Sequence, residues 1–266
     1  MITMQEGKLR VLCLHGSHTN AAIFEKQIHR WDSSILQLLN LNFLDGPYAT
    51  SGKSEVEAIF PGLYFEWFQF NKDYSEFINL EECKDFLSKY MQEHGPFDGL
   101  MGFSQGGVQA AAFAGLQQKG MVLQGHPPLR FIILVSGIGL NNKQAMHECY
   151  SEIVLCPSAH IIGDKDCLRK INEKLMQKFK NPLIIRHQEK HTVPRLGEEQ
   201  TKLLRDFHIQ IQFSILAVKS IKEESETSVV SMARSSNCQE SFQSIPRAKE
   251  YTAHSIDIEC GYGSLS

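Results

Sequence analysis

The sequence predicts an α/β protein built on a mostly parallel sheet with helices on both faces. Three observations carry that expectation. Short apolar runs ended by Gly, Asp or Pro alternate with stretches of helical apolar spacing, the rhythm of βαβ units. The chain has 266 residues, 42% hydrophobic and 21% charged, which suits one large domain with a tail. A Gly-x-Ser-x-Gly pattern at 102–106 lies between an apolar run and an Ala-rich helical stretch, the strand–turn–helix setting in which that pattern has chemical meaning.

Residues 9–14 are an apolar run stopped by His15-Gly16 and predict a buried strand. Residues 20–39 place Ile23, Phe24, Ile28, Trp31, Ile35 and Leu38 at helical spacing, with Asp32-Ser33-Ser34 as a break and new cap. A second strand at 41–44 stops at Asp45-Gly46-Pro47, and 48–75 is a long aromatic loop that includes Tyr64, Trp67 and Phe68. A helix over 79–94 ends at Gly95-Pro96, followed by a strand at 97–103 and a helix at 106–118. Strands at 130–135, 153–162 and 183–187 then alternate with helices at 168–179 and 195 to about 211. Residues 1–212 are thus expected to form the folded domain. Residues 213–266, Ser-rich with few large apolar side chains toward the end, are expected to form a disordered tail, although 213–218 is equally compatible with a longer last helix or an edge strand.

No apolar run approaches the roughly 18 residues of a membrane span, and the run near the N-terminus is too short for a signal peptide. A net charge of −3 without a block of Lys or Arg points away from nucleic acid. The seven cysteines contain no CxxC pair, so reduced thiols are expected, and with them a cytoplasmic location, the nucleus included. No metal or cofactor is expected. Gly137-Ile138-Gly139 lacks the third glycine of a dinucleotide fingerprint.

The chemistry concentrates around Ser104. A serine on a strand-to-helix turn is exposed, and helix N-terminal N–H groups face it. In the α/β-hydrolase order an acid and then a histidine follow. Of the histidines at 126, 147, 160, 187, 191, 208 and 254, His191 alone lies in a loop between the last strand and the last helix. The acid is expected just after the preceding strand, where Asp164 and Asp166 both stand; the spacing from Gly163 favours Asp166. The backbone N–H groups of Gln105 and Ser17 are the expected oxyanion donors, with Gly16 permitting close backbone approach and His15 structural. Tyr64 and Trp67 are expected to bind substrate at the rim of an apolar pocket that favours medium or long acyl chains.

LRVLCLHGSHTN, FLDGP, PGLYFEWFQFN, GPFDGLMGFSQGG, IIGDKD and HTVPRL together resemble the FSH family of serine hydrolases, the esterases that include the ovarian-cancer-associated gene 2 proteins, here of plant type. The resemblance runs from residue 9 to about 211. It implies an α/β-hydrolase fold and hydrolysis of a small-molecule carboxylic ester or thioester by Ser104, Asp166 and His191. Members usually carry glycine ahead of the histidine, whereas this chain has Glu189-Lys190. Two alternatives stand beside that function: an acyl-protein thioesterase, whose family also uses GFSQGG, and a hydrolase-fold binding protein that has lost turnover. The oligomeric state is left open.

Overall fold

Bulky apolar side chains on both faces of a strand require cover on both faces, and the short apolar runs of this chain meet that condition in a parallel sheet. The computed structural model describes residues 7–50, 54, 56–71, 77–140 and 142–236. Strand β1 (Leu9–Leu14) leads to helices α1 (Ala21–Ile28) and α2 (Ser33–Leu36) and to β2 (Leu39–Leu44). Four short strands follow: β3 (Tyr48–Ala49), β4 (Phe65–Glu66), β5 (Gln69–Phe70) and β6 (Phe77–Ile78). Then come α3 (Leu80–His94), β7 (Gly99–Phe103), α4 (Gln105–Gln118), β8 (Phe131–Val135), α5 (Lys143–Tyr150), β9 (Ser158–Gly163), α6 (Arg169–Met176), β10 (Leu183–His187) and α7 (Glu198–Ser236).

The main sheet has the order β10-β9-β8-β7-β1-β2, and every neighbouring pair is parallel. The chain runs from β1 outward to β2, then crosses back to β7 and proceeds the other way. This reversal opens a crevice at the carboxyl ends of β1 and β7, where ligands of open α/β sheets bind. The period of two in β1 sends Leu12 and Leu14 to one core layer and Val11 and Cys13 to the other. On the first face they meet Leu87, Phe97 and Phe113; on the second they meet Phe24, Ile28, Trp31 and Ile211. The three central strands β7, β8 and β9 are buried at every position, which is why they lack polar alternation.

Asp32 caps the second helix as its sequence suggested, its Oδ1 accepting the Ser34 N–H at 2.8 Å, while Asn20 caps α1 through Ile23 N–H, also at 2.8 Å. Three features differ from the sequence expectation. The aromatic stretch is not a plain loop, since β3 pairs with β4 and β5 with β6 in two small antiparallel ribbons. Helix α5 was not anticipated; its two turns bury only Cys149 and Tyr150, too few apolar positions to mark a period. The last helix continues to Ser236, so residues 213–236 are helical where a disordered tail was expected. No Gly or Pro interrupts that stretch, and nothing local stops the helix. The chain divides into two units, Met1–Leu216 and Ala217–Ser266, and the expected tail from 237 onward lies outside the described residues.

Burial lowers the pKa of His160, on β9, to about 4 by desolvating the charged ring; its Nε2 lies 3.1 Å from Ser158 Oγ and its ring meets Phe179 edge-on. The unfolded chain takes up that proton near pH 6.5 and the folded chain only near 4. Stability contributed by neutral His160 is therefore complete above pH 6.5 and is lost as pH falls toward 4. Between pH 7.5 and 5 the wild type should lose about 2 kcal/mol more than His160→Gln in urea unfolding. Equal losses in the two proteins would show that His160 does not carry this pH dependence.

Candidate active site

Strand β7 enters and α4 leaves the turn at Ser104, whose backbone sits at φ 50° and ψ −113°, a conformation that an L-residue adopts only under constraint. The constraint is visible in the packing. A Cβ on Gly106 would stand 2.1 Å from the Leu14 carbonyl oxygen and 2.6 Å from that of His15. The Gly106 N–H donates to His15 O at 3.1 Å, so the turn is stitched to the end of β1. Ser104 N–H donates to Val135 O at 3.0 Å on the other side.

His191 Nε2 lies 2.9 Å from Ser104 Oγ, and His191 Nδ1 lies 2.9 Å from Asp166 Oδ2. The side chain of Asp166 is fully buried, and its Oδ1 accepts the Leu168 N–H at 2.7 Å. This one carboxylate therefore both contacts the His191 imidazole and caps the backbone ahead of α6. Asp164 instead accepts from the Arg186 guanidinium at 3.3 Å and from Gln188 Nε2 at 2.8 Å, away from His191.

The two loops that bring Asp166 and His191 together are laced through their backbones. Asp164 N–H donates to His187 O, and Lys165 N–H to Glu189 O. A Cβ on Gly163 would lie 2.6 Å from Glu189 O and 2.7 Å from Lys190 O, so glycine is required at the strand end, where the base loop passes over it. Glu189 and Lys190, the departure from the family pattern, turn their side chains to solvent. Beyond the base, Trp31 Nε1 donates to Pro194 O at 3.0 Å and Arg30 donates to Val193 O, holding the loop from the opposite end of the chain. The Phe103 ring supports the imidazole from below, with centroids 5.2 Å apart.

His15 is completely buried. Its Nε2 accepts the Gly46 N–H at 2.9 Å, so the proton is on Nδ1, which donates to Gly16 O at 2.7 Å. Burial holds its pKa down at about 4, so the ring stays neutral and serves to shape the loop containing Ser17. Ser17, Ser104 and Gln105 share one cavity of about 540 Å3. Among the described residues, no backbone hydrogen bond uses the N–H of Ser17 or Gln105.

The cavity's apolar wall is Phe68, Phe70, Phe77, Val108, Ile138 and Leu140. Tyr64 and Trp67, expected to touch substrate, do not line it. Trp67 is fully buried with Nε1 donating to His15 O at 2.8 Å, and the Tyr64 hydroxyl donates to Phe60 O. Trp67 and Phe68 lie between β4 and β5 and are both buried in the core, but of the two only Phe68 also lines the cavity, beside Glu66, Gln69 and Phe70. Sequence reasoning also passed over the Gln105 side chain. Its Oε1 accepts the Trp67 N–H at 2.8 Å and its Nε2 donates to Phe68 O, clamping the aromatic wall to the serine turn. No local pattern announces a bond that spans nearly forty residues.

Residues 4–203 match the serine hydrolase (FSH1) family. The chain belongs to that family. Among FSH1-like relatives, esterase OVCA2 of Xenopus tropicalis is 30% identical over 216 residues, covering 74% of this chain and 90% of its own. A Schizosaccharomyces pombe protein named dihydrofolate reductase is 30% identical over 217 residues, which take in 75% of this chain but only 46% of that protein. The crystal structure of Zea mays acyl-protein thioesterase 2 superposes with a TM-score of 0.57 over 80% of this chain and 97% of its own, at 16% identity. That likeness establishes the α/β-hydrolase fold for this FSH1 family member.

Proposed function

We propose that this serine hydrolase cleaves carboxylic esters or thioesters through an acyl-enzyme on Ser104. Support comes above all from the continuous relay of two 2.9 Å contacts from Ser104 through His191 to a buried Asp166. Ser104 Oγ attacks the acyl carbonyl as its proton passes to His191 Nε2. The C=O bond opens to an alkoxide that the N–H groups of Ser17 and Gln105 stabilise. Collapse of that intermediate breaks the bond to the alcohol or thiol, which leaves with the proton from His191. Water, deprotonated by the same imidazole, then releases the acid and restores Ser104. Asp166 Oδ2 accepts the Nδ1–H of His191, which leaves Nε2 to accept from Ser104.

The large apolar wall supports a medium or long acyl chain. For para-nitrophenyl esters, kcat/KM should rise from acetyl to octanoyl by up to about fourfold per methylene, since each buried CH₂ contributes about 0.8 kcal/mol. Hydrolysis should vanish in Ser104→Ala. A series that is flat or falls with length, or activity retained without the serine, would overturn the reading. We further place the protein in the cytoplasm, supported by cysteines 13, 83, 149, 156 and 167, which are all unpaired. Among the described residues, no helix is long and apolar enough to cross a membrane.

A further inference from the structure

Among the cavity's polar lining residues is one carboxyl side chain, Glu66, that the ester reaction as derived above does not use. Glu66, on β4, faces the cavity with a side chain only 13% exposed. Its Oε1 accepts from Gln69 Nε2 at 3.0 Å, and that amide is fixed in orientation because Gln69 Oε1 accepts from Asn79 Nδ2 at 2.8 Å. Its Oε2 is 3.5 Å from Ser17 Oγ and 3.9 Å from His18 Nδ1, both longer than a good charge-assisted hydrogen bond. A carboxylate offers about four acceptor sites, so these neighbours leave capacity unused. Among the described residues lining the cavity there is no lysine or arginine, and His18 at 3.9 Å is the nearest basic side chain. The carboxyl group is thus held in a largely buried position on the same cavity as Ser104.

We propose that Glu66 is a specificity-determining residue: its carboxylate selects substrates that carry a hydrogen-bond donor, ammonium or hydroxyl, on or beside the apolar chain, and rejects those that carry a carboxylate there. The inference deepens the ester-hydrolase reading and rests on it for its biological meaning. A donor reaching Oε2 gains a charge-assisted hydrogen bond in a site partly shielded from water, where such bonds are strongest. An anion at the same depth meets like charge. The phenylalanine wall meanwhile accepts the alkyl part of either molecule, so the head group alone decides between them.

The test separates this from catalysis by measuring binding in the full-length Ser104→Ala protein, which needs no turnover. Calorimetric titration at pH 7.5 with hexylammonium, hexanol and hexanoate should give affinities in that order, with hexylammonium at least about tenfold tighter than hexanoate. Glu66→Gln should bring the three within about threefold of one another, and Glu66→Asp, which keeps the charge, should preserve the order. Hexanoate binding as tightly as hexylammonium would overturn the proposal, as would an order untouched by Glu66→Gln. If Glu66→Gln does not fold, the order in the parent and in Glu66→Asp decides. Loss of ester hydrolysis by the wild-type chain would instead count against the reading of Ser104 and leave these affinities to stand on their own.

Discussion

Asp166→Asn is expected to lower kcat by about 10⁴-fold, while Asp164→Asn leaves it within a factor of about two. The size of the effect follows from where the new amide must point. Leu168 N–H donates to Asp166 Oδ1 at 2.7 Å, and in the variant only the amide oxygen can accept that bond. The NH₂ group then faces His191 Nδ1, which must become the acceptor. The ring proton moves to Nε2, and the nitrogen beside Ser104 Oγ can no longer take a proton. Asp164 is tied to Arg186 and Gln188 and has no contact through which to exert such an effect. Steady-state kinetics of the two variants on one ester, with thermal melting to show that both are folded, would check this; equal losses would remove Asp166 from its role.

Gly106→Ala should be among the most damaging single methyls in the described residues. The added Cβ would meet Leu14 O at 2.1 Å, Leu14 C at 2.5 Å and His15 O at 2.6 Å. All three are backbone atoms, so no side chain can swing aside. Either β1 and α4 separate or the Ser104 turn relaxes, and the loop that places the Ser17 N–H moves with them. Overpacking of this kind costs about 3 kcal/mol or more, which for a chain of this size lowers Tm by roughly 10 °C. Esterase activity should fall by more than the loss of folded protein, since the residual fold no longer holds Ser104 at φ 50°. A variant with wild-type Tm and kcat/KM would mean that the turn is far softer than its geometry implies.

What was legible in the sequence was chemistry tied to a short stretch of chain. Gly102 to Gly106 announces its turn because the constraint is local: strand, strained serine and helix follow one another within a few residues. His191 and Asp166 could be singled out because both sit shortly past the strands that deliver them, and chain order limits the choices; the structure places them in contact. The second contact of Asp166 was not legible: a buried carboxylate has two oxygens, and here Oδ2 meets His191 Nδ1 while Oδ1 accepts the Leu168 N–H. The pocket wall was misread by one residue. Trp67 is the most conspicuous aromatic of its stretch, but in the link between β4 and β5 it packs wholly into the core, and Phe68 and Phe70 line the cavity. Contacts such as Gln105 to Trp67, Trp31 to Pro194 and Glu66 to Ser17 join segments distant in sequence, and only the folded chain brings them together. Helix α7 past residue 218 escaped because a Ser-rich, apolar-poor composition was weighed above the absence of any helix breaker.

Covalent capture of the nucleophile bears most directly on the central claim. After brief exposure to an alkyl fluorophosphonate and proteolysis, mass spectrometry should find one phosphonylated site, Ser104, in the wild type. Labelling should be absent in Ser104→Ala and slowed by about 10³-fold or more in His191→Ala, where the hydroxyl has lost its base. Wild-type labelling in Ser104→Ala, or an adduct located on any other serine, would contradict the assignment of Ser104 as the group that attacks the ester.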